Sequence, residues 1–423
     1  MSVSEPPPRE PSPFAFRDYR YFWLMRLSFT MASTMLVVVI GWQVYSIARE
    51  TMDLKQAAFL LGMIGLVQFI PLFLLTPVSG YVADRMDRRL IVRLSLLVEL
   101  VCAAVLALLV WQNAMTLAAL FAVSVGLGVA RAFAGPALSS FAPNIVPPAV
   151  LPTAIAWSSI AWQSGAVLGP PIGGFLYAEA PVIPHATASA LLTVSLMMSM
   201  LICRIPRGNA GDSHPLRAIV DGLRYVRDNR IVLGAISLDL FAVLLGGAVA
   251  MLPVYARDVL HVGSEGLGQL RAAPAVGAAL TALFLTQRPI RVKVGIKMFA
   301  GVGLFGLATI VFGLSTQMWL SLASLVLLGV GDMVSVYIRS SLIQLHTPDA
   351  MRGRVSAVSG LFISASNELG EFESGVTAAW FGPVEAVVAG GVGALIVTAI
   401  YAWRFPELRL ADRFATPEPK PPD

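Results

Sequence analysis

Apolar residues fill most of this chain in long runs, and polar residues gather at the breaks between them. A helix that crosses a bilayer needs about 20 mostly apolar residues. Twelve runs meet that need, over 21–47, 57–82, 90–111, 116–140, 153–178, 185–203, 231–256, 265–287, 296–315, 318–343, 355–380 and 383–404. None keeps the strict apolar–polar alternation of a barrel strand, so the pattern predicts spanning helices. The longest polar interruption, 204–230, divides the runs six and six and carries six arginines. Inside it Ile219, Leu223 and Val226 recur at helical spacing, which predicts an interfacial helix there. The expected organisation is a disordered tail over 1–14, a six-helix half over 15–203, a linker over 204–230, a second half over 231–408 and a tail over 409–423. The opening MSVSEPPPREPSPF is rich in Pro and Ser and lacks the apolar core of a signal peptide. The fold class predicted is an all-α membrane protein with 12 transmembrane helices in two six-helix halves.

Composition agrees. The 423 residues are 57% hydrophobic and 13% charged, whereas a soluble domain carries about 25% charged residues. A net charge of +5 invites a nucleic-acid reading, but the basic residues sit at the ends of apolar runs, as they do in cytoplasmic loops. With the N-terminus placed in the cytoplasm, 24 of the 30 Lys and Arg fall inside. Arg49, Lys55 and Arg257 fall outside, and Arg131, Arg271 and Arg339 lie within runs. This asymmetry predicts a multi-pass protein of the bacterial cytoplasmic membrane with both termini inside.

Little else in the sequence points to chemistry. Cys102 and Cys203 lie in or at the edge of runs, and His185, His214, His261 and His346 form no ligand pair, so no metal and no cofactor is expected. GVGLFG, Gly301 to Gly306, satisfies G-x-G-x-x-G but has no preceding strand, which reads as helix packing rather than a dinucleotide site. No nucleophile motif or soluble catalytic domain is present, so no enzyme is expected.

The turn between the second and third runs is different. GYVADRMDRR packs five Arg and Asp side chains into Asp84 to Arg89. Gly80 would let two helices approach closely. Asp84 could face the positive end of another helix, the eleventh starting near Val355, a contact worth up to about 1 kcal/mol. Arg85, Arg88 and Arg89 could pair with acidic groups and lipid phosphates. The fifth run holds GAVLGPPIGG, in which glycines at four-residue spacing make a groove for close packing and Pro170 removes a backbone hydrogen bond.

These two stretches carry a resemblance. GYVADRMDRR resembles the loop signature of the major facilitator superfamily, G-x-x-x-D-R-x-G-R-R, through Gly80, Asp84, Arg85, Arg88 and Arg89. Asp87 stands where the second glycine usually does, a variant similar to the branch containing the enterobactin exporters, the transmembrane secretion effector type. Gly165, Gly169, Pro170, Gly173 and Gly174 resemble the helix-5 motif of antiporter members. Arg131 and Gly135 loosely match the R-x3-G motif of helix 4, with Ala134 in place of its polar residue. GPALSSFAPNIVPPAVLPTAIAW and PDAMRGRVSAVSGLF are also like that exporter branch, and the resemblance covers about residues 15–408.

Ionisable residues inside spanning helices are costly and mark function. Here they are Glu99, Arg131, Asp239, Arg271, Asp332, Arg339, Glu368, Glu371 and Glu373. The resemblance implies that helices 1, 4, 7 and 10 line a central cavity, which favours Arg131, Asp239, Asp332 and Arg339. Asp332 and Arg339, seven apart, share a helix face at a distance of about 10 Å, too far to pair directly, and Arg339 is nearer the cytoplasmic gate. An ion pair of Asp239 with Arg271 or Arg131 is the structural alternative to a proton-binding role. Glu368 and Glu371 share a face and Glu373 points elsewhere. The first two are candidates for handling protons or a cationic substrate, or else salt-bridge to helix 2 or 8.

The resemblance implies a monomeric secondary transporter working by alternating access. The expected partners are a small organic substrate, protons as coupling ion, and membrane lipids. Export of a siderophore-, drug- or amphipathic metabolite-like molecule by proton antiport is the favoured direction. An importer or lipid-type carrier of the same fold, and a non-transporting receptor, are the rivals.

Overall fold

The structure is a computed structural model and describes residues 12–139, 141, 145–203 and 215–414. The described secondary structure is helical, with no strand. The long helices are α1 Arg17–Thr51, α2 Leu54–Arg85, α3 Arg88–Trp111, α4 Leu117–Ser139, α5 Leu151–Glu179, α6 Val182–Leu201, α7 Arg230–Leu245, α8 Gly263–Gln287, α9 Val294–Leu314, α10 Met318–Leu345, α11 Asp349–Phe381 and α12 Pro383–Arg404. Ten are long and apolar enough to cross a membrane, with α7 counted to Val259. The other two, α5 and α11, are 29 and 33 residues long and richer in small, polar or charged side chains.

Local chemistry sets the breaks. Asp53 caps α2 by accepting from the Gln56 N–H at 2.7 Å, and Asn229 caps α7 by accepting from Val232 at 3.2 Å. Gly382, at φ +117°, takes a backbone conformation closed to most side chains and separates α11 from α12. At Gly246 and Gly247 α7 stops being regular. Its continuation passes through a 3-10 turn, Ala248–Met251, and a π-helical turn, Tyr255–Val259.

Packing repeats with a period of six helices. In the first half α1 packs on α5 and α6, α3 on α4 and α6, and α2 on α4. In the second, α7 packs on α11 and α12, α9 on α10 and α12, and α8 on α10. The halves join through α2 against α11 and α5 against α8. Both joins contain glycines facing each other. A Cβ on Gly62 would lie 2.6 Å from the Cα of Gly375, and one on Gly174 would lie 2.6 Å from the Cα of Gly268. Without side chains there, backbones meet directly and gain dispersion contacts, which lipid cannot replace.

We call the end where α1 starts the inner end, after the side that holds most of the basic residues, and the opposite end the outer end. Both glycine contacts lie toward the outer end. Toward the inner end, a Cβ on Gly135, Gly353 or Gly360 would meet nothing within 4 Å. On α11 the residues Ser356, Gly360, Ile363 and Asn367, spaced along one face, are exposed. The small or polar Ser356, Gly360 and Asn367 at this depth suit a gap between the halves better than lipid. The bundle is closed at its outer end and parted at its inner end.

The interfacial helix, Pro215–Asp228, lies at the inner end. Val226 is buried against Ile343, Val355 and Val358, and Asp221 pairs with Arg354 at 3.1 Å. The Tyr225 hydroxyl donates to the His346 carbonyl. The helix is thereby fixed to α10 and α11, while Val220 and Leu223 stay exposed. α11 begins at Asp349, six residues before the expected Val355, because 349–354 continue the helix and Arg354 pairs with Asp221 of the interfacial helix.

Candidate functional site

At the outer end the halves are tied by polar contacts. Arg49 of α1 pairs with Asp258 at 3.1 Å, and the Tyr45 hydroxyl donates to the same carboxylate at 2.6 Å. Arg257 donates to the Ser46 carbonyl at 2.7 Å, and Lys55 of α2 to the Trp380 carbonyl at 3.1 Å. The irregular end of α7 makes this possible, since its π-helical turn presents Arg257 and Asp258 to α1. Arg49, Lys55 and Arg257 are the three basic residues that the charge count places outside, and each crosses the boundary between halves.

Midway through the bundle a second polar layer spans the same boundary. Arg131 of α4 pairs with Glu368 of α11 at 2.9 Å and donates to the Gln68 side chain of α2 at 3.1 Å. Close packing brings these groups together. Gly128, one turn before Arg131, lets α4 meet the α2 backbone, where a Cβ would come 2.6 Å from the Gln68 carbonyl oxygen. Gly65 likewise lets α2 meet α11 beside Glu368 and Glu371. Glu371 interacts electrostatically with Glu368, Arg271 and Arg131. The buried Nε of Arg271 has no hydrogen-bond partner among the described residues. Glu373 faces away and accepts from Thr377 of its own helix at 2.7 Å. The bond from Glu368 therefore runs to α4, with α2 and α8 contributing a glycine contact and a neighbouring charge.

The second half holds a separate pair. Asp239 of α7 forms an ion pair with Arg339 of α10, and both are buried. The partner of Asp239 is thus neither Arg271 nor Arg131, because packing of α7 near α10 brings Arg339 to it first. Arg339 is accordingly held inside the half. Asp332 shares a small cavity with Asp239, walled by Ala242, Val243, Val302, Phe305 and Ser335. The two layers differ in what they can do. The mid-level layer crosses the boundary between the halves. The Asp239–Arg339 pair lies inside one half.

Other sequence motifs are placed as follows. The side chains of Gly80 and Asp84 lie outside the described residues. Asp87 caps α3, accepting from the Arg89 N–H at 3.0 Å, and pairs with the Arg89 guanidinium at 2.8 Å. That hydrogen bond holds its carboxyl below the usual aspartate range. Arg89 also donates to the Ile202 carbonyl at 3.2 Å. Arg85 is exposed and Arg88 half-buried. In α5, Gly165, Gly169 and Gly173 seat the helix on Thr30, Met31 and Met35 of α1, and Gly174 meets α8. Pro170 and Pro171 lie inside the helix and leave two carbonyls without their usual donors. The Thr34 hydroxyl donates to the Gly165 carbonyl at 3.1 Å.

Sequence reasoning missed Tyr45, Asp258, Gln68 and Ser33. Asp258 falls two residues beyond the seventh run, where an acidic residue looks like loop. The signal available was positional: Arg49 and Asp258 end the first helix of each half. Arg26, within the first run but counted with the inner basic residues, lies within α1 and its Nε is buried without a partner among the described residues.

The model of the Major Facilitator Superfamily matches residues 22–371, and the chain belongs to that family, whose members are transporters. It is 28% identical over 259 residues to the enterobactin exporter EntS of Citrobacter koseri, covering 61% of each protein. It is 29% identical over 247 residues to the enterobactin exporter EntS of Escherichia coli O1:K1 / APEC, covering 58% of this chain and 59% of that one. The match thus spans about three fifths of those relatives. A bacterial homolog of the human lysosomal transporter Spinster, in an inward-facing and unoccupied conformation, superposes with a TM-score of 0.73 at 16% identity over 95% of this chain and 99% of that one. A D-xylose–proton symporter gives 0.70 at 14% identity, over 94% and 98%. At such identities the likeness is one of fold. The chain is a multi-pass membrane protein of this transporter family.

Proposed function

We propose that this protein exports a small organic molecule across the bacterial cytoplasmic membrane by alternating access, in exchange for protons. The observation that carries the reading is the Arg131–Glu368 pair, 2.9 Å long, joining the two halves at mid-depth. The tie joins a carboxylate of one half to a guanidinium of the other, so a change of charge in this layer and movement of the halves are linked. The parted inner end supports a resting state that receives its substrate from the cytoplasm. Enterobactin-exporter relatives support the outward direction and an amphipathic or siderophore-like substrate class. The halves are residues 15–203 and 231–408, the termini are cytoplasmic, and the chain acts as a monomer among lipids.

The test is substrate-triggered proton movement in everted vesicles. An imposed pH gradient is challenged with siderophores, dyes, antibiotics and lysolipids. Discharge by a compound only when this protein is present supports proton antiport and names the substrate class. Flux of a compound with no proton movement overturns the coupling.

A further inference from the structure

Three carboxylates lie within electrostatic reach of the Arg131 guanidinium, Glu368 and Glu371 across the boundary between halves and Glu99 on its own side. Glu368, across the boundary, is its partner in this structure. Glu99 on α3 belongs to the same half as Arg131. It is 1% exposed, and the Ser33 hydroxyl donates to its Oε2 at 2.6 Å. Its Oε1 has no hydrogen-bond partner among the described residues. An idle carboxylate oxygen at this depth costs free energy with nothing in return in this conformation. The cost is offset if a cation visits that oxygen in another conformation.

The surroundings narrow the visitor to Arg131. From α1 the layer receives the Ser33 hydroxyl, and from α2 the neutral Gln68 side chain. From α3 comes the Cys102 thiol, which interacts with Glu99. Arg271 on α8 interacts with Glu371 and Arg26 on α1 with Tyr19, and neither interacts with Glu99. Arg131 is the cation that interacts with Glu99, and α3 and α4 pack along their length.

We propose that Glu99 is the second seat of Arg131. With the outer end closed, the guanidinium bridges the halves to Glu368. When the outer end opens and Glu368 moves away, the guanidinium turns to Glu99 within its own half. Arg131 therefore stays paired in both conformations, and the transition between them never leaves an arginine charge unpaired at mid-membrane depth. Glu99 is a positioning residue: it acts on transport through Arg131. This inference rests on the alternating-access reading above.

The two seats predict opposite effects. E368Q removes the carboxylate that Arg131 contacts across the boundary, and E99Q removes the one within its own half. Spin labels at N113C and T316C report the outer end, since Asn113 follows α3 and Thr316 follows α9 and both are exposed. They would be read in the full chain in nanodiscs, with C102A and C203A, with and without a pH step. Wild type is expected to show a short and a long distance. E368Q should enrich the long component and E99Q should remove it. E99Q behaving as wild type, or shifting with E368Q, overturns the inference. If E99Q does not fold, E99D carries the test with a shorter reach: partial loss of the long component supports the second seat, and wild-type behaviour overturns it. A single distance in wild type under every condition overturns alternating access itself, and the second seat with it.

Discussion

Arg49, in the last turn of α1, and Asp258, in the π-helical turn that ends α7, lie 3.1 Å apart and fasten one half of the molecule to the other. Asp258 also receives the Tyr45 hydroxyl. Both side chains are partly exposed, at 25% and 17%, so the pair is wet enough to break without a large desolvation term yet dry enough to matter.

D258N removes the charge that both donors seek. A hydrogen bond to a charged group contributes about 1.5–3 kcal/mol, so the closed outer end should lose roughly tenfold or more of its population. Labelling of a cysteine placed at Asn367 by an impermeant thiol reagent from outside should rise. Unchanged labelling would show that the glycine joins alone keep this end shut.

G174A tests those joins. The added Cβ would lie 2.6 Å from the Cα of Gly268, against backbone that cannot rotate away. Overpacking of this kind costs about 1–3 kcal/mol. Here the cost falls on the closed outer end alone, so the variant should fold normally while shifting toward the outward-open form. Wild-type outer distances would count against the join as a closing element.

D239A strands Arg339 in a buried site. Breaking a buried pair from one side costs about 3–5 kcal/mol. The variant should therefore unfold at lower temperature in detergent, and D239A/R339M should recover much of that loss without recovering transport. A stable D239A would mean that water reaches Arg339.

Asp87 gives a pH dependence. Its carboxyl is held below the ordinary aspartate value by Arg89, so the native state favours the charged form. The stabilisation is fully present above the unfolded pKa, about 3.9, and is lost as pH falls through the lower folded value. D87A should lose the α3 cap, about 1 kcal/mol, and should show less acid destabilisation than wild type in a thermal scan.

The sequence by itself determined the class. Runs long enough to span a bilayer, breaks carrying the charge, and the six-and-six division follow from the energetic cost of putting polar groups in hydrocarbon, and that cost is legible residue by residue. It also singled out Arg131, Asp239, Arg339, Glu368 and Glu371, because an ionisable side chain in an apolar run stands out whatever it touches. Only the tertiary structure decided who pairs with whom. Arg131 lies 237 positions before Glu368 and Asp239 lies 100 before Arg339, and no periodicity reports which faces of distant helices meet. For the first of these pairs Gly128 and Gly65 set the meeting, by letting the backbones of α4, α2 and α11 touch. Asp258 was hidden for a related reason: at a helix end it reads as solvated, and its role comes from a break at Gly246 and Gly247 that turns the end of α7 toward Arg49. Hydrophobic burial in lipid is a local property of sequence, while close packing and ion pairing are properties of surfaces that folding brings together.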